Sequence, residues 1–566
     1  MGKKKKVCKV SSEPEKTLKS QNSVTRVLIR ALGSIAVYCT GVEDCGTPSA
    51  ELQQHLNMIN NCFCSPSIHL PKECGIQNSK GSFPKRAIRM VFSTPPKLEK
   101  LASQSLVRNE ALTTSAAEYL PKEFFIPLLK EAGTQRKAKM IKILVEYWPY
   151  PFLHVGLLSY KPNFQIFQAI LAGVDTWLKR KYRPRMCRLQ LVDLRHHDGT
   201  DMQDGREDRA HRVETVHMEQ VLEGQSRYPR KQRLKVFSDL SFMSSLHEDK
   251  HQTELLQWTK ERKDFLHLCC EKLEIGDVKV SKVRDVLKLL QLEFIKELEL
   301  NTVGKLSKLT KYVSCISKMR NLEKLTLARS FGTRTFIREE RQNVTKIFSL
   351  FPKLKCLKHL TIDDVYFVGD SMRELFRYLE AQLVSLNITL CGLSQTDLDS
   401  FPQHLNYSQL KHLCLRGATL TDLNVVPLRD FLENVAYNLE TLELEDCGMK
   451  DSHLSILQPA LIQCSELTSI NLYDNDISMS VLVGFLLSTI DLSELTTEKY
   501  PAPVEIYNEM NYVDVEMFSE LGIELMNELL TVRQPDSVSF GSNACYDCGE
   551  RYVYEDGEVI YCLCQE

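Results

Sequence analysis

Residues 438–464 read NLETLELEDCGMKDSHLSILQPALIQC, and the order of apolar and polar positions in that stretch decides the fold. Leu439, Leu442 and Leu444 have the spacing of a short strand with one buried side, because alternate strand residues point the same way. Cys447 is a small thiol suited to a buried turn, and Met449 fills the next layer of core. Asp451 offers a side-chain oxygen to a helix N-terminus. Leu454, Leu457 and Leu461 then recur every three or four residues, the period of a helix with one apolar face. A unit of one strand, one turn and one helix cannot cover its own leucines, so it needs a similar unit beside it.

Six further copies supply those neighbours. The triplet L-x-x-L-x-L is centred on Leu298, Leu325, Leu360, Leu386, Leu413, Leu442 and Ile470. The slots three before the centres hold Ile295, Leu322, Leu357, Leu383, Leu410, Leu439 and Leu467, and those two after hold Leu300, Leu327, Ile362, Ile388, Leu415, Leu444 and Leu472. Successive centres are 27, 35, 26, 27, 29 and 28 residues apart, the period of a leucine-rich repeat with one insertion. Ser394, Thr421 and Ser478 each stand eight residues past a centre and mark expected helix starts. The predicted fold is an α/β leucine-rich repeat solenoid, a ribonuclease-inhibitor-like horseshoe with an N-terminal helical cap and a C-terminal cap. Its concave face suits the binding of another protein, and Thr326, Asn387, Thr389, His412 and Glu443 fall on that face as a mixed polar surface.

Composition narrows the class of function. The 566 residues carry 72 basic and 73 acidic side chains, so no net field steers the chain to nucleic acid. No apolar run reaches about 18 residues, so no membrane span is expected. MGKKKKVCKV leads into polar sequence rather than an apolar signal core. The 19 cysteines are therefore expected to be mostly reduced, in a cytoplasmic and nuclear protein. No P-loop, nucleophile elbow or H-E-x-x-H motif occurs, and the acidic residues are scattered, so no enzyme is expected.

Residues 1–89 mix a lysine run with polar stretches and predict a disordered extension. Residues 90–186 read as the helical cap, with Leu106, Ile141, Leu144, Val145 and Trp148 at helical spacings. Residues 187–500 hold the repeats. They begin with a degenerate copy at Leu189, Val192 and Leu194, and a charged loop over 196–235 interrupts them. Residues 501–566 form the C-terminal cap.

From residue 90 onward the chain resembles the PRAME family. STPPKLEKLASQSLVRNEALTTSAAEYLPKEFFIPLLKEA, LVEYWPYPFLHVG and RPRMCRLQLVDLR carry the likeness at the front, and LCCEKLEI, LEDCGMKDSHL, LYDNDIS, YPAPVEIYNEM and CYDCG carry it to the end. The resemblance implies a substrate-recognition subunit of a cullin-2 RING ubiquitin ligase, with elongin B/C and cullin-2 as partners and an unidentified target on the repeats. It also implies restraint of apoptosis and of differentiation, promotion of proliferation, and transcriptional repression. A BC box, [ST]-L-x-x-x-C-x-x-x-Φ, begins at Ser105 and Leu106, but its later slots fall on Glu110 and Thr114. A cullin-2 box, Φ-P-x-x-Φ-x-x-x-Φ, falls on Leu120, Pro121, Phe124 and Leu128. Apolar residues at such spacings also suit the core of a helical cap.

Two thiol pairs close the chain, Cys545 with Cys548 and Cys562 with Cys564. Four thiolates fit one structural zinc with no open position for catalysis; four unligated thiols are the plainer alternative. His196, His197, His211 and His217 and the basic stretch Arg227–Lys235 lie in the charged loop. Met526-Asn527-Glu528-Leu529-Leu530 resembles a receptor-docking L-x-x-L-L helix, though core packing explains it as well. Three functions therefore stand: a ligase receptor, a corepressor holding a nuclear receptor or chromatin partner, and an inhibitor-like scaffold.

Overall fold

The computed structural model describes residues 98–158, 162–180, 189–195, 233–244, 249–331, 337–365, 371–404, 408–545 and 548–560. The expected extension over 1–89, the four loop histidines, Cys562 and Cys564 lie outside them, as does the charged loop as far as residue 232. The chain divides into two compact units that part between Leu189 and Gln190. Among the described residues no helix is long and apolar enough to cross a membrane.

The first unit is helical, as its periodicity dictates. In Ala138–Glu146 the residues Met140, Ile141, Leu144 and Val145 share one face and are all fully buried. That face meets Phe164–Lys179, which begins where the Asn163 carboxamide accepts the Ile166 amide at 2.9 Å. The two helices touch at Gly173, where an added Cβ would lie 2.8 Å from Val145 Cβ. Phe125 and Trp148 pack edge to face at 6.1 Å, and the Trp148 indole donates to the Phe152 carbonyl at 2.7 Å.

The second unit contains sixteen named strands: β1 (Leu191–Asp193), β2 (Leu234–Phe237), β3 (Leu240–Ser244), β4 (Leu266–Cys269), β5 (Lys272–Asp277), β6 (Glu297–Lys305), β7 (Lys324–Phe331), β8 (His359–Asp363), β9 (Ser385–Thr389), β10 (His412–Cys414), β11 (Thr441–Glu443), β12 (Ser469–Asn471), β13 (Thr497–Pro501), β14 (Val538–Gly541), β15 (Val553–Glu555) and β16 (Glu558–Ile560). A 13-stranded sheet runs β3, then β5 to β16 in order. It is parallel as far as β14 and ends in the antiparallel turn of β14, β15 and β16. The seven centres form one column of that sheet, from Leu298 paired with Leu325 through to Leu442 paired with Ile470. Every slot residue of the seven triplets is 3% exposed or less. The chain is thus a leucine-rich-repeat-like α/β stack held in register by its leucines, since a slip of one residue would turn each of them outward.

Three expectations change. β1 does not join the repeat column; it pairs with β2, and β2 with β4, in a separate parallel ladder. The true earlier copy is Phe237, Leu240 and Phe242, with Leu240 in register with Leu273. The loop expected to reach residue 235 ends sooner, because Leu234 and Lys235 are already buried in β2. The parallel column also runs past residue 500: Ile470 pairs with Glu498, and Glu498 with Val538.

In six of the seven repeats the backbone turns in the same way. Arg329, Asp364, Leu390, Gly417, Asp446 and Asp474 each stand four residues past a centre, with φ between 49° and 68°. One residue later a side chain bonds back to the preceding repeat: Cys391 to the Ile362 carbonyl at 3.7 Å, Cys447 to that of Leu415 at 3.1 Å, and Asn475 to that of Leu444 at 2.8 Å. Burial pushes the Cys391 thiol up to about 11 and the Cys447 thiol up to about 12, so both stay protonated donors. Along one edge, two residues before the centres, charges alternate. Lys296 pairs with Glu271 at 3.2 Å and Lys358 with Glu323 at 2.9 Å, and Lys411 pairs with Glu440.

Helix starts follow the repeats less closely than the hydroxyls suggest. Ser394 caps Gln395–Asp399 in a capping box with Asp397. Thr421, expected to cap, instead donates to the Gly448 carbonyl at 3.1 Å, and that repeat's helix begins only at Val426. Asp451 is the first helical residue rather than the cap, and its carboxylate accepts the Ser478 amide of the next repeat at 2.8 Å. Ser478 stands at a cap position without a side-chain cap bond.

The cap of Asp451–Leu461 comes from His453, whose Nδ1 accepts the Lys450 amide at 2.9 Å. That role needs the neutral ring, and burial, aided by the Lys450 charge, lowers the His453 pKa. The folded state therefore takes up this proton less readily than the unfolded chain. Its stabilisation is complete above the ordinary histidine value of about 6.5 and is lost as pH falls through the lowered folded value. Denaturant midpoints at pH 7.5 and 5.5 should differ more for the native chain than for His453→Asn, whose side chain caps without titrating. Equal differences would refute the assignment.

Candidate protein-binding surfaces

The strand residues between the buried slots all emerge on one side of the sheet, which makes an ordered polar surface. Thr326, Asn387 and Glu443 lie in one row, with Thr361, Cys414 and Asn471 between and beyond them. His412 belongs to the row before, with His359 and Thr441, and Thr389 to the row after, beside Asp363. Neighbouring repeats hydrogen-bond across this face. Thr389 donates to Asp363 at 2.5 Å, His412 Nδ1 lies 2.9 Å from the Thr441 hydroxyl, and Asn387 donates to Thr361 at 3.4 Å. The Cys414 thiol donates to Glu443 at 3.2 Å, and burial pushes its pKa up to about 12. Burial, with Lys324 and His412 nearby, lowers the His359 pKa. At neutral pH the face thus offers the protonated Cys414 thiol and the neutral His359 imidazole, groups suited to hydrogen bonding rather than to nucleophilic attack.

The C-terminal part of the face holds residues that sequence reading did not single out. Arg551 reaches back 106 positions to Glu445 at 3.0 Å, and also lies 3.0 Å from Asp474. Its guanidinium stands 4.5 Å over the Tyr473 ring, whose hydroxyl lies 2.6 Å from that of Ser539. Leu390 is the apolar feature beside the face. It is 55% exposed at φ 52°, a backbone region costly for a branched side chain. The chain accommodates it by placing Gly417 alongside, where a Cβ would lie 2.5 Å from Leu390 Cδ2. The signal for Leu390 was present in the sequence, since the other αL positions carry Arg, Asp or Gly.

The helical unit places the two box motifs unevenly. Leu106 is 2% exposed and Leu128 fully buried, so both belong to the unit's own core and present no side chain to a partner. This corrects their assignment as partner-binding residues; helical spacing reported a core. Ser105 and Leu120 are half-buried, Pro121 is exposed and Phe124 half-buried. Pro121, at φ −59°, precedes one 3-10 turn, Lys122–Phe124, that runs into Phe125–Thr134. Tyr119, 51% exposed, adjoins it.

Other motifs resolve as structure. Of the apolar residues of Met526–Leu530, Leu529 is fully buried in Val515–Leu530, Met526 is half-buried and Leu530 is 42% exposed, so the motif is packed as core at Leu529 alone. Lys235, the last residue of the basic stretch, is buried with its ammonium 5.3 Å from the Phe294 ring. Among the described residues no three His, Cys, Asp or Glu side chains are grouped to hold a metal.

The description PRAME N-terminal domain matches residues 95–201, and PRAME C-terminal domain matches residues 234–564. The chain belongs to the PRAME family. Preferentially expressed antigen in melanoma-like protein 7 of Mus musculus is 68% identical over 480 residues, which cover 84% of this chain and 100% of that protein. PRAME family member 8 of Homo sapiens is 37% identical over 478 residues, again 84% of this chain and 100% of the relative. Among solved structures, a chain of the TLR13–ssRNA13 complex aligns at 14% identity over 70% of this chain and 54% of its own, with a TM-score of 0.26. For this PRAME-family chain the repeat assignment accordingly rests on its own strand register.

Proposed function

We propose that this protein is a non-catalytic substrate-recognition subunit of a cullin-2 RING ubiquitin ligase. The repeats form a ribonuclease-inhibitor-like horseshoe. A target protein is held on the polar strand face and at Leu390, while the helical unit recruits cullin-2 and elongin B/C. The observation that carries this reading is the uninterrupted row from Thr326 to Asn471, whose side chains are half-exposed or exposed apart from Cys414, in a chain that also has a separate helical unit with Tyr119, Pro121 and Phe124 at its surface. Attachment to elongin B/C then rests on residues other than Leu106. The protein acts in the cytoplasm and nucleus, and target removal underlies the family-implied effects on apoptosis, differentiation, proliferation and transcription.

A scaffold without ligase partners is the second reading, favoured by the burial of Leu106 and Leu128. Affinity capture from proteasome-inhibited cells separates the two. The ligase reading expects cullin-2 and elongin with the native chain, about tenfold less cullin-2 with Tyr119→Ala plus Pro121→Ala, and unchanged capture of targets. A Leu390→Asp change should lose targets and keep cullin-2. Capture of targets with no ligase subunit would establish the scaffold instead.

A further inference from the structure

We propose that the outward face of the helix Val515–Leu530 docks a basic amphipathic helix of another protein. The inference goes beyond the ligase reading and does not depend on it, since it uses neither the strand face nor the helical unit.

One face of this helix is committed to the fold. Phe518, Gly522, Leu525 and Leu529 are buried. Gly522 lets the terminal hairpin come close, for an added Cβ would lie 2.5 Å from Cδ2 of the Tyr554 ring. The helix also packs against Met479–Ser488 of the preceding repeat. Asp514 caps it, accepting the Met517 amide at 3.0 Å. Among the described residues no later helix follows, so it ends the helical layer of the repeats. The last unit of a solenoid needs a polar outer surface to stay soluble alone. Here that surface carries Met517, Ile523 and Leu530, which are 41%, 48% and 42% exposed.

The charges between those apolar residues say what covers them. Glu516, Glu520, Glu524 and Glu528 follow one another every four residues and so form a ridge along the helix. At about 1.5 Å per residue the ridge is about 18 Å long. With a turn of about 100° per residue, it passes between Ile523 and Leu530 on one flank and Met517 on the other. None of the four carboxylates is in an ion pair among the described residues. Like charges at this spacing repel and weaken a helix. Glu528 also stands near the C-terminal end, where the helix dipole favours a base and the last turn has none.

The surroundings do not relieve that repulsion. From Asp491 to the end of the chain the sequence carries 17 acidic side chains and 3 basic ones. Arg533 is taken by Glu498, Arg551 by Glu445 and Asp474, and Lys499 lies over the Tyr473 ring. A partner helix with lysine or arginine at the same four-residue spacing, flanked by apolar side chains, neutralises the ridge and covers Met517, Ile523 and Leu530 together. A second copy of this face would bring the same four glutamates, and a nucleic acid would be repelled by them.

The test uses the full chain and a labelled synthetic helical peptide, with lysine at every fourth position and leucine on both flanks of the lysine row. Fluorescence anisotropy should show binding that weakens steeply between about 50 and about 300 mM salt. A scrambled peptide of the same composition should bind about tenfold more weakly or worse. Glu520→Lys plus Glu528→Lys should weaken binding of the ordered peptide about tenfold. The same variant should raise the melting temperature, because it turns three repelling pairs into attracting ones. Ile523→Asp should also lose the peptide, and capture of cullin-2 should be unchanged in both variants. Equal binding of the scrambled peptide, binding untouched by either variant, or a self-association that both variants abolish would overturn the assignment.

Discussion

Arg533→Met is expected to lower the stability of the repeat unit by about 3–5 kcal/mol, because it strands a buried carboxylate. Glu498 occupies the column that Leu442 and Ile470 occupy in the two preceding repeats, and it is 1% exposed. Arg533 makes a two-pronged bond to it, with Nη1 2.6 Å from Oε1 and Nη2 against Oε2, and its Nε donates to Thr489 at 3.0 Å. Tyr500 adds a third donor at 2.6 Å. Burial, and then the Glu498 charge, push the Tyr500 phenol well above its ordinary value, so it keeps the proton it donates. Without the guanidinium the carboxylate must stay charged in the core, protonate, or let water in. Replacing the whole set, Glu498→Leu with Tyr500→Phe and Arg533→Met, should recover most of the loss, since an apolar substitute for a buried ion pair is often neutral or better. Denaturant midpoints of the two variants decide the matter. An unchanged midpoint for Arg533→Met would mean that the pair contributes nothing to the fold.

Phe401→Ala should cost a similar amount, about 3–5 kcal/mol for a large ring removed from a packed core. Phe401 is fully buried between Phe376 and Phe431, edge to face with both, at centroid distances of 5.0 and 5.6 Å. The three rings come from three successive repeats, in the helices Ser371–Tyr378, Phe401–His404 and Val426–Val435. Stacked repeats stabilise one another through such neighbour contacts. Hydrogen exchange of Phe401→Ala should therefore lose protection in all three repeats, not in one, and Phe401→Leu should lose much less. Loss confined to residues 401–404 would show that the rings do not couple their repeats.

Much of this architecture was legible because burial imposes a period. A slot that must be apolar in every copy writes itself into the chain, and the seven triplets are that record. The column was misjudged where one residue breaks the rule. Glu498 hides the copy Leu495, Glu498 and Tyr500, because its charge is compensated by Arg533, 35 positions away. Phe237, Leu240 and Phe242 were hidden beside a charged segment, 33 residues before the next centre at Leu273. Polar signals were less faithful than apolar ones. Thr421 and Asp451 look like helix caps, yet both bond to the following repeat, since a short polar side chain on a stacked unit has two backbones within reach. On the candidate surfaces, the strand-face residues came directly from alternation. Leu106 and Leu128 were misassigned because a docking motif and a core face share one helical spacing. Arg551 was beyond sequence reading altogether, since nothing local announces a partner 106 residues away.

The alternating charges along the strand edge bear on how such a protein can lengthen. From Glu271 to Lys358 the order is acid, base, acid, base. A gene event that copied one unit within that stretch would place lysine next to lysine or glutamate next to glutamate, whereas copying two units restores the order. Each pair is worth only about 0–1 kcal/mol, so the rule is a bias toward even steps rather than a bar. Val384, uncharged at the corresponding place before Lys411, and Thr468, uncharged after Glu440, are points in the series where the parity can reset without penalty.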